Sequence, residues 1–147
     1  MASNEMVTRS HNLMRDLRAF AEFLRGEIHG ILLCMAYQTT STVDPGSWTF
    51  CVCADELDDK SERAAIALVW NWMETRLSRE SLSMIERVVV LRAFEPDAAA
   101  ILSAAMSVED GHRLTGYPIL GREIARAEIF IVGGSAQRLP QRQSVRA

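Results

Sequence analysis

Three thiols are the first candidates for chemistry, because Cys34, Cys51 and Cys53 could hold a metal or supply a nucleophile. If the connection after Tyr37 pairs that residue with Trp48, counting inward through an antiparallel hairpin sets Cys34 directly beside Cys51. Cys53 then falls on the same face, but successive same-face residues of a strand are about 7 Å apart, too far for two thiolates to share one zinc without a bulge. No second close pair of Cys or His completes a four-ligand set, although His29 lies just ahead of Cys34. The expectation is three small buried hydrophobes and no metal site.

Among the histidines, His112 has the most promising setting. Asp110-Gly111-His112 puts a carboxylate and an imidazole in one loop, where the glycine permits unusual backbone angles and a general base can be oriented. Tyr117 or Glu123 would be the helpers of such an acid–base site. The competing reading is an ordinary turn that ends a helix. His29, beside Gly30, reads as a residue compensating a helix dipole, and His11 as part of a frayed helix start. The carboxylates Asp55, Glu56, Asp58 and Asp59 lack the alternating ligands and closing Glu of a calcium loop, and fit the acidic entry to a helix. Glu95 and Asp97 around Pro96 read the same way. Nucleotide-binding glycine patterns, the nucleophile elbow and the zinc-protease helix are all missing from the sequence, and Gly133-Gly134-Ser135 reads as a strand end. No cofactor is expected.

The elements that must position these groups follow from periodicity. Leu13, Leu17, Phe20, Ala21, Leu24 and Ile28 recur at steps of three and four, one face of a helix with a cap at Ser10 or Asn12 and its end at Gly30. Residues 31–37 form a short apolar strand, Asp44-Pro45-Gly46 a turn, and residues 48–53 a second strand whose large side chains are Trp48, Phe50 and Val52. The charged stretch 55–63 leads into a helix with Ile66, Val69, Trp70, Met73 and Leu77 on its apolar face, widened by Leu68 and Trp72. Val88-Val89-Val90-Leu91 reads as a central strand covered on both faces. Pro96 opens a further helix carrying Ala98, Ile101, Leu102, Ala105 and Met106. Residues 114–120 are an optional strand, and 123–132 the last one.

This order, α-β-β-α-β-α-(β)-β, predicts an α+β fold with one mixed or antiparallel sheet of four to five strands and helices mainly on one face, a ferredoxin-like layout being the nearest standard. The chain of 147 residues, 48% hydrophobic and 24% charged, is the size of one ordinary domain, placed at 1–135 with a frayed start over 1–9. Residues 136–147 read as a flexible basic tail, with Arg138, Arg142 and Arg146 among few hydrophobes. A net charge of -3 argues against nucleic acid as the general partner, leaving contact by that arginine tail as a minor reading. No run is long enough to span a membrane. The first residues lack the pattern of a secretory signal, so a cytoplasmic location is expected.

Function reads as binding. Trp48, Phe50, Trp70 and Met73 are the candidates to line an apolar ligand pocket, and the same residues suit a plain core. The apolar face of the leading helix, or an edge strand, would serve a homodimer, with a protein or a small apolar ligand as the further partner. The alternative is a small enzyme working through Asp110 and His112.

Overall fold

The structure, a computed structural model, describes residues 2–42, 44–107 and 114–132. Its elements in chain order are α1 (Ala2–Glu27), β1 (Ile31–Thr39), β2 (Trp48–Ala54), α2 (Asp55–Asp58), α3 (Glu62–Arg76), α4 (Arg79–Ser83), β3 (Ile85–Leu91), α5 (Pro96–Ser107), β4 (Pro118–Ile119) and β5 (Arg122–Val132). The fold is α+β, with one mixed five-stranded sheet in the order β3-β2-β1-β5-β4. The longer elements are those the periodicity predicts. The four-residue α2 and five-residue α4 are additions. α1 starts at Ala2, well ahead of the cap expected at Ser10 or Asn12 and inside the stretch 1–9 expected to fray. The basic tail at 136–147 lies outside the described residues.

The strand order departs from the nearest standard layout. β2 and β3 are parallel neighbours joined through α3, whereas the split βαβ units of a ferredoxin-like fold leave room for a strand between them, so that layout is not adopted. The helices lie mainly on one face, as expected, with α5 on the other. α1 and α3 cover one core, with Trp48, Phe50 and Val52 of β2 and Val88 and Val90 of β3. α5 covers the other, with Leu33, Met35, Cys51, Cys53, Val89 and Leu91.

The β1–β2 register is also one residue away from the count made through Tyr37 and Trp48. Tyr37 pairs with Thr49, which places Phe50 opposite Ala36, Val52 opposite Cys34, Cys51 opposite Met35 and Cys53 opposite Leu33. Each pair thus joins a large side chain to a small one. The alternative register would stack Tyr37, Met35 and Leu33 with Trp48, Phe50 and Val52 on one face and leave mostly Cys, Ala and Thr on the other, against the even filling that cores require. Gln38 secures the observed choice. It is buried, and its Nε2 donates to Pro45 O at 2.7 Å and Ser47 O at 2.8 Å, fastening the connecting loop to the end of β1.

α1 forms because its apolar stripe has somewhere to go. Leu13, Leu17 and Leu24 are fully buried, each contributing about 1.5–3 kcal/mol. The whole stripe, from Leu13 to Ile28, is consumed by the chain's own sheet, so it offers no face to a second molecule. In α3, Ser61 caps the start by accepting from Ala64 N–H at 3.1 Å. Its buried line is Ala65, Val69, Met73 and Leu77, which turns Trp72 and Trp70 onto opposite flanks.

Candidate ligand cleft

α1 lies across the sheet with an open cleft on either side. One, of about 340 Å³, is lined by Asp16, Ala19, Phe20, Phe23, Arg76 and Ser78. Its polar groups already have partners within the chain. Asp16 Oδ2 accepts from Ser81 Oγ at 2.6 Å and Ser78 Oγ at 3.4 Å, and the Arg76 guanidinium rests 4.0 Å from the centre of the Phe23 ring.

The other cleft, of about 310 Å³, is lined by Ser10, His11, Met14 and Arg18 of α1, Trp48 at the start of β2, and Arg126 and Glu128 of β5. The sheet register explains the grouping. Arg126 opposes Gln38 and Glu128 opposes Ala36 across the β1–β5 ladder, so both β5 residues fall on the side that α1 covers. Arg126 places its guanidinium 4.9 Å from the centre of the Trp48 ring, and Arg18 sits 5.3 Å from the centre of the Phe130 ring while its Nη2 lies 3.8 Å from a Glu128 oxygen. Arg126 itself has no carboxylate in ion-pair range among the described residues.

Trp48 is 2% exposed, and its Nε1 is a buried donor with no hydrogen-bond partner among the described residues. Such an orphan costs about 1–3 kcal/mol in a dry site. This cleft therefore combines an apolar flank with two guanidiniums against one carboxylate. Its chemistry suits a small molecule with an apolar body and an acidic group.

The other residues singled out from the sequence are dispersed. Phe50 and Met73 are fully buried in the core under α1 and α3, and Trp70 is half-buried on the flank of α3. Of the four expected pocket residues, Trp48 alone borders the cleft. Asp110 and His112 lie outside the described residues, and their expected helpers are part of the β4–β5 hairpin: Tyr117 O accepts from Ile124 N–H at 2.9 Å, and Glu123 pairs with Pro118. His11 stands exposed at the rim of the cleft and His29 is exposed at the end of α1.

The acidic run after β2 is built into the backbone. Glu56 Oε1 accepts from His29 N–H at 2.7 Å, and Arg92 Nη1 donates to the carbonyls of Leu57 and Asp58. Burial raises the Asp58 carboxyl above its ordinary range, with Asp55 and Asp59 adding to the effect and Arg92 and the Ala93 N–H opposing it. Among the described residues no group of His, Cys, Asp and Glu is arranged to hold a metal ion. All three thiols are buried, and burial pushes each one up. For Cys53, where the carboxylates of Asp58, Asp55 and Glu95 add to burial, the value reaches about 12. Thiols held in that state are poor nucleophiles.

Sequence reasoning missed Arg18, Arg126 and Glu128. The only trace of the last two is in β5, where Arg126 and Glu128 alternate with Ala125, Ala127 and Ile129. Comparison of the chain with known families, curated proteins and solved structures gave no match. Among the described residues, no helix is long and apolar enough to cross a membrane.

Proposed function

We propose that this protein is a small binding domain that works as a homodimer and takes an apolar, acidic small molecule in the cleft beside Trp48. The observation that carries the reading is the Arg126 guanidinium, stacked on the Trp48 indole at the cleft wall and without a carboxylate partner among the described residues. A ligand carboxylate or sulfonate would meet Arg126 and Arg18, and its apolar body would lie against Trp48 and Met14. Three buried, unpaired thiols support a reducing, cytoplasmic setting.

Anilinonaphthalene sulfonate has this chemistry, and its uncharged analogue phenylnaphthylamine lacks only the acid. Fluorescence titration of the folded protein should give saturable one-to-one binding of the sulfonate and much weaker binding of the neutral dye. Arg18→Gln removes one cation and frees Glu128, and should weaken the sulfonate about tenfold, the loss expected for one charge-assisted contact. Equal binding of the two dyes, or an unchanged affinity in Arg18→Gln, would refute the reading.

A further inference from the structure

The sheet ends in two edges, and the chain treats them differently. Trp48 N–H donates to Met84 O at 2.8 Å, so the even-numbered residues of β2 turn their backbone toward β3 and the odd-numbered ones toward β1. The same alternation, followed through the parallel register Phe50↔Val88 and Val52↔Val90, leaves the N–H and C=O of Val88 and Val90 directed away from the sheet. Followed through β1, it leaves those of Ala127 and Ile129 directed away at the other edge. Among the described residues none of these four has a backbone partner on its outer side.

The β5 edge is poorly made for pairing. β4 covers its start, and irregularities interrupt it on both sides of Ala127. Joining Ala127 and Ile129 reciprocally to a second copy would set Glu128 against its own counterpart, and like charges directly opposite one another are destabilising. β3 has neither obstacle. Its register is unbroken from Arg87 to Leu91, and joining Val88 to Val90 of a second copy, and Val90 to its Val88, sets Val89 against Val89 and Arg87 against Leu91. Val88, Val89, Val90 and Leu91 are at most 5% exposed, so both faces of this edge strand are dressed like those of an interior one.

An independent feature runs along the same edge. α3 lies over β3, and its Trp72 packs edge-on against Phe23 of α1 at 5.9 Å. Trp70 is two positions away, about 160° round the helix, so it occupies the flank away from α1, with Ile66 one turn before it. Both side chains are only partly buried.

We infer that β3 pairs antiparallel with β3 of a second copy about a two-fold axis at Val89, making one continuous ten-stranded sheet with the two α3 helices side by side. This deepens the homodimer part of the proposed function and rests on it. The pairing supplies four main-chain hydrogen bonds from Val88 and Val90, while the Trp70 and Ile66 flanks close over the join.

Light scattering across a concentration series, combined with amide hydrogen exchange, tests it on the wild-type chain. The expected result is a concentration-dependent dimer in which the Val88 and Val90 amides exchange at least tenfold more slowly than in the dilute monomer, while the Val89 amide, bonded within the sheet, is protected in both. A dimer whose Val88 and Val90 amides exchange freely would overturn this edge and leave self-association standing. A chain that stays monomeric would overturn both, leaving the dye-binding cleft to be judged on its own titration. Trp70→Glu and Trp70→Lys should each be monomeric and should form a mixed dimer when combined. Folded single variants that still dimerise would overturn the join.

Discussion

Cys34 and Cys51 occupy adjacent strands and nevertheless face opposite sides of the sheet: Cys34 opposes Val52 beneath α1 and α3, and Cys51 opposes Met35 beneath α5. A sheet thus separates two thiols that lie one row apart. With burial raising both, neither a disulfide nor a reactive thiolate is available in the native state. Folded protein should release no colour from a thiol-exchange reagent at mildly alkaline pH, and all three cysteines should react once it is denatured. Fast labelling of one thiol in the native protein would contradict the burial described.

Gly30 should tolerate no side chain. Its φ is +72°, and an added Cβ would lie 2.8 Å from Asp55 Oδ2, at the point where Asp55 N–H donates to Gly30 O. Gly30→Ala is expected to lower stability by at least about 1 kcal/mol, the cost of the left-handed backbone alone. Gly26, in the last turn of α1, has nothing within 4 Å of such a Cβ. Gly26→Ala should therefore be neutral or stabilising by up to about 1 kcal/mol. Urea midpoints of the two variants should move in opposite directions, or the first alone should fall.

Asp16 ties α1 to α4 through the nearly buried Ser81. Asp16→Ala leaves that hydroxyl without its acceptor and should cost about 1–3 kcal/mol. Adding Ser81→Ala should restore part of the loss, since removing both partners leaves no orphan. The ion pair of Asp16 with the exposed Arg15, at 3.7 Å, should contribute almost nothing, so Arg15→Ala serves as the control.

Asp58 sets a pH dependence of definite sign. Because its folded pKa is raised, the protonated carboxyl favours the folded state. That contribution is complete below the ordinary Asp value of about 3.9 and is lost as pH rises through the higher folded value. At neutral pH the ionised, partly buried group is therefore a burden. Asp58→Asn should raise the thermal midpoint at neutral pH, and the advantage should disappear below a pH of about 4. An advantage unchanged in acid would assign the gain to packing instead of charge.

How far the sequence revealed these features follows from how local each one is. The stripe from Leu13 to Ile28 and the run Val88 to Leu91 are legible because a single element's burial dictates the spacing of its own apolar residues. The β1–β2 register was not legible by counting from the turn, because the loop from Thr40 to Ser47 is long enough to accommodate either parity. What decides it is size complementarity between Phe50 and Ala36 and between Met35 and Cys51, visible only when the strands are laid together. The cleft was hidden for a stronger reason. Met14, Trp48 and Arg126 come from three elements spread over more than a hundred positions, and no short motif joins them. Trp70 and Trp72 look equivalent on an apolar helix, and the course of α1 alone separates their roles.

The placement of β1 also governs how the chain must assemble. This strand, in the middle of the sheet, is flanked by β2, a few residues further on, and by β5, which brings Val132 to Leu33 across almost a hundred residues. The hairpin can form early, but closing so long a loop is entropically costly and must wait until the remaining elements have drawn the far strand inward. Refolding should therefore be limited by the capture of β5, and a half-made chain would carry an open groove along its central strand. Until that capture, the intermediate is at its greatest risk of joining the wrong neighbour.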